Sequence, residues 1–285
     1  METAIDVLGL IAGNRSLPLL TARQAREMGV KRLVAVAFEN ETDPALAELV
    51  DEIVWLRVGQ LSRLVKAFQS RGVTRCVMVG QIAPKNLFDL RPDLRTLGLL
   101  MRVKEKNAHT LFGALIEELA KDDITVVTAV PWLAPLMPGV GCHHGPALSE
   151  EQTGDVAFGF HMAKEITRLE IGQLVVVKNG MVLAVEGFEG TDACLRRGGQ
   201  LAGTSRGAVA VKVARHKHDM RFDIPCIGLS TLEACREGGV DVLAVEAGTT
   251  LFLDRDEMGP WCRRHKLSLL TVAGEAPPRV GRDNK

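Results

Sequence analysis

The chain has 285 residues, 46% of them hydrophobic, enough for a packed core in each of two domains. Lys plus Arg number 35 and Asp plus Glu also 35, so the formal net charge is zero, and aromatics make up only 4% with no tyrosine. That balance argues against a global nucleic-acid-binding field, and the scarcity of rings argues against a base-stacking platform.

The N-terminal half alternates strand and helix signals. Val7 to Ala12 is a short apolar run, followed by a Gly-Asn turn and a helix from Leu17 to Met28. Leu33 to Phe38 and Glu52 to Leu56 read as strands, Leu61 to Gln69 as a helix, and Cys76 to Val79 as a strand. A helix from His109 to Ala120 and a strand from Thr125 to Ala129 complete the series. Near-continuous apolar strands between amphipathic helices predict a parallel sheet covered on both faces, so residues 1–130 are read as a Rossmann-like domain.

Pro131 to Pro146 is rich in proline and glycine, and the stretch 131–150 is read as the connection to a second domain. Ser149 reads as the N-cap of a helix from Glu150 to Leu169. The strands Leu174 to Val177 and Val182 to Val185 flank Asn179-Gly180, a hairpin signal. Strands at Ala208 to Val213, Cys226 to Gly228 and Val242 to Val245, with helices near 231–237 and 256–265, make residues 151–285 a second α/β domain.

The six cysteines are scattered without a Cys-x-x-Cys pair, the start lacks a secretory signature, and charges interrupt every apolar run before membrane-spanning length. The expectation is a cytoplasmic protein with reduced thiols. Cys142-His143-His144 and the pair His216 and His218 lack the spacing of a zinc ligand set.

Several segments carry chemistry. Gly13 and Asn14 can take positive φ, Ser16 can cap and Pro18 suits a first helical turn, so this β-α turn either holds a phosphate or is an ordinary tight turn. It is not a Gly-x-Gly-x-x-Gly fingerprint, which counts against a dinucleotide-dependent oxidoreductase. Gln81 and Lys85 follow the strand Cys76 to Val79, at the end where ligands collect in open α/β sheets. Between Asp93 and Lys106, Leu94, Leu97 and Met101 share a helical face flanked by Arg91, Arg95, Arg102, Lys104 and Lys106. A core-facing helix is the first expectation for that face, and contact with acyl chains or a membrane surface the second.

The strongest signal is a pair of segments, Glu186-x-x-Glu189-x-x-Asp192 and Asp219-x-Arg221-x-Asp223 before Ile224-Pro225. Carboxylates at the ends of buried strands are costly unless paired, and a hard cation such as Mg²⁺ is an efficient partner. The structural alternative makes Asp192 and Asp219 helix or turn caps and pairs Glu186 and Asp223 with Arg221 or Arg196.

At these residues the chain resembles the UDP-2,3-diacylglucosamine pyrophosphatase family of lipid A synthesis, the type unrelated to metallophosphoesterases. The resemblance runs from Gly9 to Asn14, through Gly80-Gln81 and Ile171 to Val176, to Glu189-Gly190-Thr191-Asp192 and Asp219 to Pro225. It implies a Mg²⁺-dependent, homodimeric, cytoplasmic enzyme with a Rossmann-like domain and a distinct C-terminal domain; transient contact with the inner membrane is an alternative that the sequence leaves open. It also implies hydrolysis of UDP-2,3-diacylglucosamine to lipid X and UMP, with water attacking the uridylyl-side phosphorus. By residue matching Asp223 is the key catalytic acid. The mechanism expected here adds Arg221 and Asp219 beside it, places Mg²⁺ on Glu189, Asp192 and Asp223, and gives substrate contacts to Gly13, Asn14, Gln81, Lys85 and Thr191. His218 stands where the family pattern expects Gln, and Glu105 to Thr110 departs from an expected Gly-Asp-Asp-like segment. A nucleotide-sugar or lipid-binding protein without chemistry is the competing reading.

Overall fold

The computed structural model describes residues 5–82, 92–103, 108–203, 205–215 and 219–273. The fold is α/β, as the alternation predicts, and it forms two compact units. One comprises Met1–Leu133 with Asp219–Asp223, the other Ala134–His218 with Ile224–Lys285.

In the N-terminal unit five parallel strands lie in the order β3-β2-β1-β4-β5. They are β1 (Val7–Ala12), β2 (Arg32–Phe38), β3 (Glu52–Leu56), β4 (Arg75–Val79) and β5 (Thr125–Val126). Their aliphatic runs suit a sheet buried on both faces, and Leu8, Leu10, Val34, Val36 and Val77 are fully enclosed. Strand β5 is shorter than the sequence predicts, because after Val126 the chain turns into a short helix α5 (Val130–Leu133). The longer helices are α1 (Leu17–Glu27), α2 (Leu61–Gln69), α3 (Leu94–Arg102) and α4 (Ala108–Ala120).

Helix α3 corrects the core-facing expectation. Leu94, Leu97 and Met101 stand 88%, 44% and 75% exposed, and Leu99 is the buried residue of the helix. The cause is electrostatic: Arg95 and Arg102 both reach Glu118 of α4, and Arg95 also pairs with Asp122. Lys121 adds a third cation to Glu118 at 2.6 Å, so the helix is anchored by its basic residues and its apolar stripe faces outward.

The C-terminal unit holds a six-stranded mixed sheet in the order β6-β13-β11-β9-β7-β8. These strands are β6 (His143–His144), β7 (Leu174–Lys178), β8 (Met181–Val185), β9 (Ala208–Lys212), β11 (Val240–Glu246) and β13 (Ser268–Val272). A small parallel pair, β10 (Cys226–Ile227) and β12 (Leu251–Phe252), accompanies it. Helix α6 (Glu150–Arg168) packs Val156, Phe160 and Ala163 onto one face through Val175, Val177, Val209 and Val211. Helices α7 (Thr191–Leu201), α8 (Leu229–Gly238) and α9 (Arg255–His265) cover the other, around Leu174, Val176, Leu195, Leu232 and Met258.

Ser149 caps α6 as its sequence indicates, in a reciprocal capping box with Gln152. Asn179 and Gly180 both take positive φ (50° and 71°), the pattern that joins β7 and β8 in a tight hairpin. The turn has a partner no local pattern announces. Buried Asp155 of α6 accepts hydrogen bonds from the Asn179 and Gly180 N–H groups at 2.8 and 2.7 Å.

Candidate functional site

In the N-terminal unit, the neighbours of β1 are β2 and β4, so the chain direction across the sheet reverses there. The loops beyond the carboxyl ends of such strands are where open α/β sheets bind ligands. Gly13 N–H donates to Val79 O at 2.8 Å and Asn14 N–H to Gln81 O at 2.7 Å, tying the loops after β1 and β4 together. A Cβ on Gly13 would lie 2.4 Å from Gln81 O, so only glycine permits this approach. Gly80 takes the left-handed turn at φ +88°, and Arg15, rather than Gly13 or Asn14, takes φ +66°. Ser16 occupies the N-cap position of α1, but its side chain makes no capping bond. These are corrections to the expected turn geometry, and the two loops bring Gly13, Asn14 and Gln81 together. Lys85 lies outside the described residues.

Asn14 Nδ2 donates to Glu41 Oε2 at 2.6 Å. That bond fixes the amide orientation, since a flipped amide would set oxygen against oxygen. It leaves Asn14 Oδ1 buried with no hydrogen-bond partner among the described residues. A buried acceptor without a donor is costly, and a ligand N–H or O–H arriving at this sheet end would satisfy it.

The segment Asp219–Asp223 belongs to this same unit although its sequence neighbours do not. Phe222 stacks on Phe112 of α4 with centroids 5.4 Å apart, and Thr128 Oγ1 donates to Met220 O at 2.9 Å. Thr128 follows β5, so the turn docks at the carboxyl end of the sheet, on the same edge as the Asn14 and Gln81 loops. Arg221 N–H donates to Asp219 Oδ1 at 3.0 Å, and its guanidinium grips both carboxylate oxygens at 2.6 to 3.1 Å. This fork holds the Arg221 pKa above its ordinary value. The N–H groups of Phe222 and Asp223 both donate to Asp219 O, which closes the turn. Asp219 therefore caps the turn, as the structural alternative had it, and braces Arg221, while Arg196 pairs with Glu237.

In the C-terminal unit, Glu189 pairs with Arg197 of α7, which holds its carboxyl below the usual range. Its second oxygen accepts Gly187 N–H at 3.1 Å. Asp192 sits in the first turn of α7, whose N-cap is Gly190 and not an acid. Thr191 opens that helix and donates to Glu186 Oε1 at 2.9 Å, while Lys212 Nζ donates to Thr191 Oγ1 at 3.2 Å. Glu186 and Lys212 are each only 5% exposed. Sequence reading missed Lys212, although a lysine inside the apolar run Ala208 to Val213 is itself a signal, since a buried charge needs a reason.

As to a metal, the carboxylates offer the hard oxygen donors that Mg²⁺ takes. Among the described residues, however, no group of three His, Cys, Asp or Glu side chains is gathered to hold an ion. Both oxygens of Glu189 are already engaged. The donor set thus fits the mode in which Mg²⁺ keeps several waters and takes one or two carboxylates with substrate phosphates, and not an all-protein cage. Cys142 Sγ and His144 Nε2 lie 3.6 Å apart without a third ligand among the described residues, and His216 and His218 lie outside them. Burial pushes the Cys76 and Cys194 thiols up to about 12, which leaves them unreactive.

Residues 7–136 match the family model described as the LpxI N-terminal domain, and residues 139–270 match the LpxI C-terminal domain. The chain is 29% identical over 258 residues to a Caulobacter vibrioides protein named UDP-2,3-diacylglucosamine pyrophosphatase LpxI, covering 87% of this chain and 91% of that one. Among solved structures, a Campylobacter jejuni biotin carboxylase complex aligns with a TM-score of 0.28 at 15% identity, over 70% of this chain and 42% of that one. The biotin carboxylase subunit of a pyruvate carboxylase aligns at 0.26 and 13%, over 65% and 36%. Neither value bears on the fold.

Proposed function

The chain belongs to the LpxI family, whose two domain models together span most of it, and we propose that it hydrolyses the pyrophosphate bond of UDP-2,3-diacylglucosamine to lipid X and UMP. The observation that carries this reading is the likeness to the Caulobacter pyrophosphatase along almost the whole of both chains. The site geometry supports it, because the turn that presents Asp223 is braced at the sheet end that also carries Gly13, Asn14 and Gln81.

In this proposal Asp223 is the catalytic carboxylate, acting on the attacking water directly or as a Mg²⁺ ligand. The Asp219–Arg221 fork keeps the turn rigid and presents the outer guanidinium edge to phosphate charge. Asn14 Oδ1 accepts a hydrogen bond from the nucleotide portion, and the Gly13 loop admits it closely. Asp223 is the carboxylate of this sheet end that would hold Mg²⁺, which would supply charge neutralisation and an acidified water when bound. Water attacks the uridylyl-side phosphorus, so UMP carries the new oxygen. The outward stripe Leu94, Leu97 and Met101 offers apolar surface for acyl chains or for brief contact with the inner membrane. Among the described residues no helix is long and apolar enough to cross a membrane. A cytoplasmic location and a homodimer complete the proposal.

Product analysis tests it. Purified protein incubated with the substrate is expected to release UMP and lipid X with Mg²⁺ and neither product with chelator. Bound but intact substrate in both samples would leave a binding protein instead.

A further inference from the structure

The acceptor left open at Asn14 Oδ1 is held by a second loop, and that loop indicates what it takes. The turn after β2 is pinned to the end of β1, because Thr42 Oγ1 donates to Ala12 O and accepts Phe38 N–H at 2.9 Å. The Glu41 and Thr42 N–H groups both donate to Phe38 O, at 3.1 and 3.0 Å, and Asn40 turns the chain at φ +62°. Thr42 is only 5% exposed. Glu41 is thereby set beside Asn14, with its Oε2 2.6 Å from Asn14 Nδ2.

A carboxylate only accepts hydrogen bonds, so Glu41 holds the Asn14 amide by its NH₂ group and leaves the oxygen over. That oxygen selects a ligand by the sense of the hydrogen bond. An O–H or N–H satisfies it, whereas a phosphate oxygen brings a second acceptor. The place narrows the choice further. β1 and β2 are parallel neighbours, and Asn14 and Glu41 follow their carboxyl ends. In doubly wound nucleotide-binding folds the first β-α turn approaches the phosphates, and an acid after the second strand takes a ribose hydroxyl. Here the acid after β2 stands behind an amide from the first turn, and the two are joined by a hydrogen bond.

We propose that Asn14 Oδ1 accepts a hydrogen bond from a ribose hydroxyl of the nucleotide, with Glu41 as the positioning residue that fixes the amide. The assignment rests on the UDP-2,3-diacylglucosamine reading above and names the part of the nucleotide that meets this loop. A purely structural tie between the loops after β1 and β2 needs only the Nδ2–Glu41 bond. It leaves Oδ1 buried without a donor among the described residues and predicts no preference for any ligand hydroxyl. The uracil N3–H is the other donor such a nucleotide carries, and the test separates the two.

The test uses the full chain and calorimetric titration with UMP, 2′-deoxy-UMP and 3′-deoxy-UMP, beside turnover of UDP-2,3-diacylglucosamine. Wild type is expected to bind UMP roughly 10- to 100-fold more tightly than at least one deoxy analogue, the cost of leaving a buried acceptor unpaired. Asn14→Leu is expected to bind UMP as weakly as that analogue and to lose the preference between them. Glu41→Gln, which can hold the amide in either orientation, is expected to shrink the preference while affinity for the analogue stays as it was. An unchanged preference there overturns the role of Glu41. Wild-type binding that is equal for all three nucleotides, or absent, overturns the assignment, and turnover in that sample leaves hydrolysis standing. A loss in Asn14→Leu that is equal for all three assigns Oδ1 to the uracil N3–H and also overturns it. A hydroxyl preference that vanishes in Asn14→Leu, in a protein that hydrolyses nothing as wild type, upholds the ribose site and removes the functional reading instead. Should Asn14→Leu not fold, Asn14→Ser decides by the same comparison, and a hydroxyl preference kept in that variant overturns the proposal.

Discussion

In the proposed mechanism Asp223 carries the chemistry, and its variant tests that role. Asp223→Ala is expected to lower turnover by about a thousandfold or more while circular dichroism and substrate binding stay close to wild type. Turnover within a few-fold of wild type in a folded variant would remove Asp223 from the mechanism. A second residue, Glu118, carries stability and not chemistry. Hydrogen bonds from Lys121, Arg102 and Arg95 hold its pKa down to about 2 from 4.5. Because the folded value lies below the unfolded one, the stabilisation is complete above about pH 4.5 and drains as pH falls toward about 2. Glu118→Gln should cost about 2 kcal/mol at neutral pH by urea unfolding, and the gap from wild type should narrow steadily through that acid window. The acids at 189, 192, 219 and 223 stood out in the sequence because charge beside apolar strands and glycines is uncommon. Arg221 stood out with them, but Arg197 did not, because it meets Glu189 through helix geometry that spacing does not reveal. Glu41, the anchor of Asn14, sits 27 positions away and is brought there only by the sheet.

At the scale of elements, the strands with a single signal were the easiest to read. β1, β2, β3 and β4 are apolar runs with a helix after each or a turn between, and their observed bounds differ from the predicted ones by a residue at most. Strand β13 went unread, since Ser268–Val272 is a short run with no turn signal to mark it as paired. The α3 stripe was legible as amphipathic, but which way it faced was decided by Glu118 on another helix. The β7–β8 hairpin shows both halves of this lesson. Asn179-Gly180 announced the turn, and Asp155 on α6 secures it from 24 residues away. Asp155→Ala strips two buried backbone donors of their acceptor and should cost about 2 to 3 kcal/mol. Chemical denaturation reads that loss, and a change under about 0.5 kcal/mol would show the turn to be self-sufficient.

For the whole molecule, the alternation of elements indicated two α/β units, and the order β3-β2-β1-β4-β5 placed a ligand edge on the first. No sequence pattern showed that Asp219–Asp223 would fold with the N-terminal unit, because that depends on Phe222 meeting Phe112 across 110 positions of chain. This returning segment sets the most specific sequence motif at the same sheet end as the Asn14 loop, which is the central structural support for pyrophosphate hydrolysis. The direct measurement is a single turnover of UDP-2,3-diacylglucosamine in water enriched in heavy oxygen, with mass analysis of both products. The account predicts the label in UMP and none in lipid X. Label in lipid X, or no cleavage in the presence of Mg²⁺, would contradict it.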